Sequence, residues 1–224
     1  MTNAKTKPPA RDIYRLISRA WGPQEWWPAK TRFEMMVGAI LTQNTAWINV
    51  EKAIRNLVMA RVLNPSAIYT IRQQELAELI HPSGYYNIKA HRLKNLAANI
   101  VEHHGGSISR MLKGTPHEVR SRLLAINGIG KETADSILLY AGKMPFFVVD
   151  AYTRRFLERH GWVQPKASYE DIAELLSEPF NNLPAPKRTK LFNEFHALIV
   201  LLAKKNCRKK PDCNSCPLNR YEVV

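Results

Sequence analysis

Apolar side chains recur along most of this chain at the three- and four-residue spacing of amphipathic helices. The first clear helix begins at Thr31, where Glu34 three residues later predicts a capping box, and Thr115 with Glu118 predicts a second capped helix start. Segments of alternating polar and apolar residues, which would indicate strands, are absent from the pattern. The sequence therefore predicts an all-α protein, with further helices over residues 47–60, 73–80, 86–104, 115–126, 131–141, 150–160, 168–176 and 187–205.

One connection between predicted helices contains more glycine than a helix end requires. A single glycine is enough to end a helix, but here Gly128 and Gly130 flank Ile129. Such a pair predicts a backbone that another molecule approaches closely. The N–H groups of Asn127 to Lys131, at the start of the next helix, would then form an anion site. An ordinary tight turn between helices is the alternative.

Composition favours a polyanionic partner for that site. The chain has 33 Lys and Arg residues against 19 Asp and Glu residues, a formal net charge of +14. No apolar run is long enough to span a membrane, and the polar N-terminus lacks the apolar stretch of a secretory signal. All three cysteines lie after residue 206, which is not the distribution of a disulfide framework. We therefore expect a cytoplasmic protein with no membrane partner.

Asp150 ends the apolar run from Pro145 to Val149 and begins a basic helix, so its simplest interpretation is an N-cap. Its position downstream of the glycine turn, with Arg154 and Arg155 following, resembles the helix-hairpin-helix DNA glycosylases of the endonuclease III superfamily. The resemblance extends to the segments AILTQNTAWINVEKAI and SGYYNIKAHRLKNLAANIVEHHGG and to the cysteine-rich end. It covers nearly the whole chain.

The resemblance implies a two-lobed fold and a base-excision enzyme. Residues 31–145 would form a six-helix barrel lobe with the helix-hairpin-helix at about 115–141, and residues 1–30 and 146–224 would form the second lobe. Asp150 would be the catalytic carboxylate, and the glycine turn would hold the phosphate backbone. The partner would be double-stranded DNA with a damaged base, bound by a monomer in the cytoplasm with the nucleoid. A non-catalytic helix-hairpin-helix DNA-binding protein is the alternative.

The family likeness also indicates what the enzyme does after removing the base. Bifunctional members carry a lysine two residues past the second glycine, where this chain has Glu132, and that lysine attacks C1′. Lys131 is adjacent, but one residue along a helix turns a side chain by about 100°. Lys131 is therefore interpreted as a phosphate partner, and the enzyme as monofunctional. The adenine-mismatch branch has a glutamate where this chain has Gly38, and Glu34 is explained by its cap.

A flipped base leaves a gap in the DNA stack that a protein side chain must fill. In the family a polar residue of the loop after the second barrel-lobe segment does this, and Gln43 and Asn44 occupy that stretch. The spacing favours Asn44. Hydrogen bonding of these side chains to their own backbone is the alternative.

Tryptophans near the first barrel helix suggest the substrate. The WWP segment followed by LTQNT is similar to the 3-methyladenine DNA glycosylases on this scaffold, and N-alkylated purines stack well on indole faces. Uracil or thymine mismatches and oxidised pyrimidines are the alternative substrates, and core packing is the alternative role of the indoles. The predicted base pocket comprises Trp26, Trp27 and Trp47.

The cysteines resemble the family's iron–sulfur loop incompletely. Cys207, Cys213 and Cys216 have the spacing C-x5-C-x2-C, whereas the family pattern is C-x6-C-x2-C-x5-C, and the fourth position would be Glu222. Three interpretations remain: a [4Fe–4S] cluster with an unusual ligand, a substituted metal, or a relic held by packing. In each, the loop 208–210 would contact DNA phosphate.

Overall fold

The computed structural model describes residues 8–24, 26 and 29–221. Most of these residues are helical and none of them forms a strand, so the predicted all-α class is confirmed. None of the helices in these ranges has both the length and the apolar character needed to cross a membrane. The chain divides into two compact units, one of Met1–Trp26 with Lys143–Val224 and one of Trp27–Gly142. The limits predicted from the sequence were residues 30 and 145.

Twelve α-helices make up most of the described chain. Two one-turn 3₁₀ segments, His81–Ser83 and Glu178–Phe180, lie between neighbouring helices. In chain order the helices are α1 (Ala10–Trp21), α2 (Arg32–Leu41), α3 (Trp47–Met59), α4 (Pro65–Thr70), α5 (Gln73–Leu79), α6 (Tyr86–His104), α7 (Ile108–Met111), α8 (Pro116–Leu124), α9 (Lys131–Ser136), α10 (Ala151–Arg159), α11 (Tyr169–Ser177) and α12 (Ala185–Lys205).

The Trp27–Gly142 unit is built around α6, its longest helix. This helix packs against α2, α4, α5 and α7, and its apolar face, with Leu93, Leu96 and Ile100, is fully buried. Helix α9 continues directly into a π-helical segment, Ile137–Ala141, all of which is buried. The apolar face predicted from the helical period is the buried face, and its burial holds α6 at the centre of this unit.

The unit formed from both chain ends is built around α12. This helix contacts α1 and α10, and the rings of Phe147 and Phe195 pack edge to face with centroids 5.4 Å apart. Phe192 and Phe195 are buried, and Phe180 packs against both. Aromatic pairs of this geometry stabilise by about 0.5–1.5 kcal/mol each beyond their area burial. The cluster fixes the rotation of α12 and so the direction of its next residue, His196.

Helix starts follow the predicted capping residues, with one difference in geometry. Thr115 and Glu118 form the predicted reciprocal box at α8. At α2 the Thr31 hydroxyl accepts from the Glu34 N–H at 3.0 Å, but the Glu34 carboxylate accepts from the N–H of Lys30 at 3.2 Å. The predicted box at Thr31 is therefore only half formed, because the carboxylate reaches one residue further back.

Candidate functional site

Asp150 is the N-cap of α10, as the simplest interpretation of the sequence predicts. Its Oδ1 atom accepts hydrogen bonds from the N–H of Thr153 at 2.7 Å and from the Thr153 hydroxyl at 2.8 Å. A cap of this kind contributes about 1 kcal/mol to helix stability. It occupies only one of the two carboxylate oxygens, so capping does not account for the whole side chain.

The second oxygen of Asp150 faces His196 on α12. The distance from His196 Nε2 to Asp150 Oδ2 is 3.5 Å, and both side chains are largely buried. Burial by itself would raise the pKa of Asp150, but the nearby imidazole of His196 and the two donors of Thr153 outweigh it. The pKa of Asp150 is held below its ordinary value of 3.8. The result is a carboxylate that stays ionised at neutral pH in a poorly hydrated place.

Trp26 also lies beside the imidazole of His196. The ring centroids of Trp26 and His196 lie 6.1 Å apart, with the planes tilted by 35°. Trp26 is half-buried. Within one unit of the fold, the imidazole of His196 therefore contacts both the indole of Trp26 and the ionised carboxylate of Asp150. No role was predicted for His196 from the sequence, although a histidine inside the apolar run FHALIVLL is a signal of a buried polar role.

The other two predicted pocket residues differ from Trp26. Trp27 lies outside the described residues. Trp47 packs on α2, since a Cβ atom at Gly38 would lie 3.6 Å from its Cη2 atom, and its Nε1 donates to Glu51 Oε1 at 2.8 Å. These contacts are those of a packing residue, so base contact by Trp47 stays a prediction without support from its packing.

The glycine turn joins α8 to α9 as a hairpin. The two helices are tied by Arg120, whose Nε and Nη2 donate to the two carboxylate oxygens of Asp135 at 2.6 and 3.1 Å. Ile129 is buried, whereas Asn127, Gly130, Lys131 and Glu132 are exposed.

The first-turn N–H groups of α9 have no acceptor earlier in that helix. Before the helix, the N–H of Ile129 donates to Ile126 O at 3.0 Å within the turn. The hairpin therefore anchors itself through Ile129 and presents Gly130 and Lys131 outward.

Side chains of α6 and of the loop 42–46 support this hairpin from below. Asn95 donates to Asn127 O at 3.0 Å. Gln43 donates through Nε2 to Gly128 O at 3.3 Å and to the Thr133 hydroxyl at 2.9 Å, and it accepts from Arg92. Gln43 is predicted from the sequence as a residue that fills the DNA stack. In the structure its side-chain amide is hydrogen-bonded to the hairpin and to Arg92.

Asn44 and Tyr85 are the exposed tips of two neighbouring loops. Both have positive φ, +53° for Asn44 and +47° for Tyr85, a conformation that side chains other than glycine rarely adopt. Tyr85 is 67% exposed, which is unusual for an aromatic side chain. The Thr45 hydroxyl donates to Ser83 O and so joins the two loops. No role was predicted for Tyr85 from the sequence, where an aromatic residue directly after Gly84 was the available signal.

Substitution of the two glycines should separate folding from DNA binding. A Cβ atom at Gly128 would lie 2.2 Å from Arg92 Cγ, and φ there is +93°, so Gly128→Val should lower the free energy of unfolding by about 1–3 kcal/mol. Gly130 has φ −89° and no described atom within 4 Å of such a Cβ. Gly130→Val should therefore keep the melting temperature but weaken binding to damaged and undamaged duplexes alike, by about tenfold or more.

Fluorescence anisotropy with matched duplexes measures this effect, and thermal melts of both variants are the control. A loss of affinity by Gly130→Val for only one kind of damaged duplex would contradict a phosphate role for the turn.

The three cysteines line one cavity of about 250 Å³ in the unit of the chain ends, together with His160, Asp212 and other side chains. Burial raises the pKa of the Cys216 thiol, and the nearby thiols of Cys207 and Cys213 raise it further. Arg159 Nη1 lies 3.2 Å from Cys207 Sγ, and Arg159 Nη2 donates to Lys209 O at 3.2 Å, which holds the basic loop 208–210.

These residues do not fit a four-cysteine cluster. The cavity offers three thiols, and nowhere in residues 8–24, 26 and 29–221 are three cysteine, histidine or acidic side chains arranged to share a metal ion. Glu222, at the fourth family position, lies outside the described residues. A [4Fe–4S] cluster stays a prediction from the resemblance, and the contacts of Asp150 do not involve this cavity.

Comparison with known proteins shows similarity over nearly the whole chain. Residues 37–182 match the HhH-GPD superfamily of base excision DNA repair proteins. A protein of Methanocaldococcus jannaschii, whose name marks it provisionally as a DNA repair glycosylase, is 49% identical over 211 residues, 93% of each chain.

Two solved structures are similar in fold. The H. pylori 3-methyladenine DNA glycosylase bound to 1,N6-ethenoadenine has a TM-score of 0.73 and 32% identity, and the match covers 88% of this chain and 95% of that one. A non-covalent complex of endonuclease III with DNA has a TM-score of 0.79 and 20% identity, over 97% and 95% of the two chains. At that identity the second likeness concerns the fold alone.

Proposed function

Because this chain belongs to the HhH-GPD superfamily of base excision DNA repair proteins and is a DNA glycosylase of that family, we propose that it removes N-alkylated purines such as 3-methyladenine without cutting the strand. The carboxylate of Asp150 is the catalytic group of this reaction. The alkylated base stacks on an indole, with Trp26 as the foremost candidate. Asn44 and Tyr85 enter the duplex as the base leaves it.

The observation that carries the catalytic proposal is the buried, ionised carboxylate of Asp150. Cleavage of an N-glycosidic bond passes through an oxocarbenium-like sugar, which a fixed negative charge stabilises. Thr153 and the imidazole of His196 hold that charge in place and keep the pKa of Asp150 low. The same carboxylate can orient or activate the attacking water. A simple cap would need only the oxygen that faces Thr153.

The substrate proposal rests on the chemistry of the base and on one relative. An N-alkylated purine is electron-poor and often cationic, so it is attracted to an indole face and is already a good leaving group. Trp26 lies beside the imidazole that contacts Asp150. The H. pylori enzyme is named for 3-methyladenine and was solved with 1,N6-ethenoadenine, a second modified adenine. This relative supports an alkylated adenine as the substrate here.

The experiment that tests this function is excision from a panel of matched duplexes. These carry 3-methyladenine, 7-methylguanine, hypoxanthine, uracil or thymine glycol at one position. Release of the base is measured as the strand cleavage that alkali produces at the abasic product. Release of an alkylated purine ahead of the other bases supports the proposal. Binding without release of any base would indicate a DNA-binding protein instead.

The monofunctional assignment predicts that borohydride will not trap this protein on DNA. Trapping requires an amine that forms a Schiff base with C1′, and the family position of that amine holds the exposed carboxylate of Glu132. Wild-type protein incubated with damaged duplex and borohydride should give less than about one-hundredth of the cross-link formed by endonuclease III, the positive control.

The neighbouring lysine needs a control of its own. Trapping that is efficient in the wild type and disappears in Lys131→Ala would show that the enzyme is bifunctional and uses Lys131. A trap that survives this variant would point to another amine and would equally contradict the assignment.

A further inference from the structure

Lys89, in the first turn of α6, is a buried lysine with an unusual set of partners. Only 1% of its surface is exposed. Its ammonium donates to Leu41 O at 2.8 Å, to the Thr45 hydroxyl at 2.7 Å and to Ser83 O at 2.7 Å. An ammonium has three N–H donors, so these three acceptors use all of them.

The three acceptors belong to the two loops that carry Asn44 and Tyr85. Leu41 is the last residue of α2, and Thr45 follows Asn44, so the ammonium grips the first loop on both sides of its tip. Ser83 lies two residues before Tyr85 in the second loop. One ammonium group therefore connects the two loops next to their tips. The hydrogen bond from the Thr45 hydroxyl to Ser83 O connects the same loops directly.

The partners of Lys89 are neutral oxygens, which makes its burial hard to explain by stability. Burial, with a smaller contribution from the charge of Arg92, lowers the pKa of Lys89 from 10.5 to about 8. A lowered lysine pKa means that folding disfavours the ammonium relative to the unfolded chain. An apolar side chain of similar length would avoid that cost. The role of the ammonium is therefore to hold the two loops in a fixed arrangement.

The two tips themselves need support of this kind. Positive φ at Asn44 and at Tyr85 persists only where the surroundings impose it. Exposed apolar side chains follow each tip, Ile48 in the first turn of α3 and Ile88 in the first turn of α6. Such a surface suits the interior of a base stack better than water.

We infer that Lys89 is a positioning residue that locks the loops 42–45 and 83–85 into one rigid wedge, so that Asn44 and Tyr85 enter DNA together. This role rests on the proposed function, since it assumes that a base is extruded from a duplex. Lys89 is too deeply buried to contact the substrate. It acts by fixing the distance between the two inserted side chains before DNA arrives, which removes the ordering cost from the flipping step.

The test compares Lys89→Met with Lys94→Met as the matched control. Lys94 is on the same helix and also donates to backbone carbonyl oxygens, those of Tyr69 and Ile71, which belong to a different part of the unit. The substrates are a duplex with 3-methyladenine in a normal pair and a duplex with the same base in an unpaired bulge. A 2-aminopurine beside the base reports unstacking.

Lys89→Met should lower the single-turnover excision rate from the paired duplex tenfold to a hundredfold, with a matching loss of 2-aminopurine signal. Excision from the bulge, where the base is already unstacked, should fall less than threefold. Lys94→Met should keep the wild-type ratio of the two rates. General destabilisation would lower both rates together, so equal losses on the two substrates would overturn the inference, as would a wild-type ratio in Lys89→Met.

A second pair of variants decides the matter if Lys89→Met does not fold. Thr45→Val removes one acceptor of Lys89 and the bond to Ser83, whereas Thr70→Val, outside both loops, removes a hydroxyl that bonds Ser66 O and Ala67 O within α4. Only Thr45→Val should slow excision from the paired duplex selectively. If the wild type releases no 3-methyladenine, the substrate proposal fails, and the 2-aminopurine signal of the same variants still reports on the wedge.

Discussion

Asp150→Asn should lower base excision at least about a hundredfold while abasic-site DNA is still bound with wild-type affinity. The substitution removes a negative charge and nothing else of size. Asparagine is as good an N-cap as aspartate, so its carbonyl oxygen can still accept from the N–H and hydroxyl of Thr153. The fold of α10 is thereby preserved, and a loss of rate would belong to the charge. Single-turnover excision and anisotropy with an abasic-site duplex measure the two quantities.

The pH dependence of stability is the control for the Asp150 charge. The pKa of Asp150 is lowered in the folded protein, so its ionisation contributes stability that is present above the ordinary value of 3.8 and is lost as the pH falls through the folded value. Asp150→Asn should lack this contribution, and its stability should depend less on pH in that acid range. Near-normal excision by Asp150→Asn would contradict the proposed mechanism, whatever the stability curve.

The wild-type protein should remove 3-methyladenine faster than uracil, and Trp26→Ala should reduce that preference by a few tens of fold. A cation–π contact at a desolvated site is worth about 2 kcal/mol, which corresponds to that factor. Uncharged pyrimidine lesions gain less from an indole and leave less readily. Excision rates for the two bases, measured in the same duplex with wild type and variant, give the ratio.

Trp47→Ala is the matched control for Trp26→Ala. The indole of Trp47 packs against Gly38, so its removal should lower the melting temperature, with both excision rates falling together. Trp26→Phe should retain part of the preference, because a phenyl ring keeps an aromatic face. If uracil or a thymine mismatch is released faster than 3-methyladenine by the wild type, the alkylation assignment is wrong and a mismatch glycosylase replaces it.

The parts of the site that could be predicted from the sequence are those defined by local patterns. Helix periodicity, the cap at Thr115, the two glycines of the hairpin and the carboxylate at the start of α10 each depend on residues within one or two turns of one another. Helices α1, α4 and α7 were not predicted; α4 and α7 have only six and four residues, too few for a period to appear.

The remaining features depend on contacts between residues far apart in the sequence. Gln43 belongs to the loop by its position, yet its side chain bonds Gly128 and Thr133, 85 and 90 residues later. His196 reaches Asp150 only because the aromatic cluster beside Phe195 sets the rotation of α12. No periodicity encodes such pairings, since they depend on how whole helices pack.

The unit that contains Asp150 is assembled from both ends of the chain, which has a consequence for its synthesis. Helix α1 packs on α12, and Asp12 pairs with Arg220 at 3.0 Å, whereas Trp27–Gly142 is one continuous stretch. On the ribosome the continuous unit is complete first, and α1 must wait for the last helix before its partners exist. A nascent chain that has not reached α12 has the hairpin and both loop tips, but it has no His196 to set against Asp150. The order of translation therefore completes the hairpin and the two loop tips before the contact between Asp150 and His196 can form.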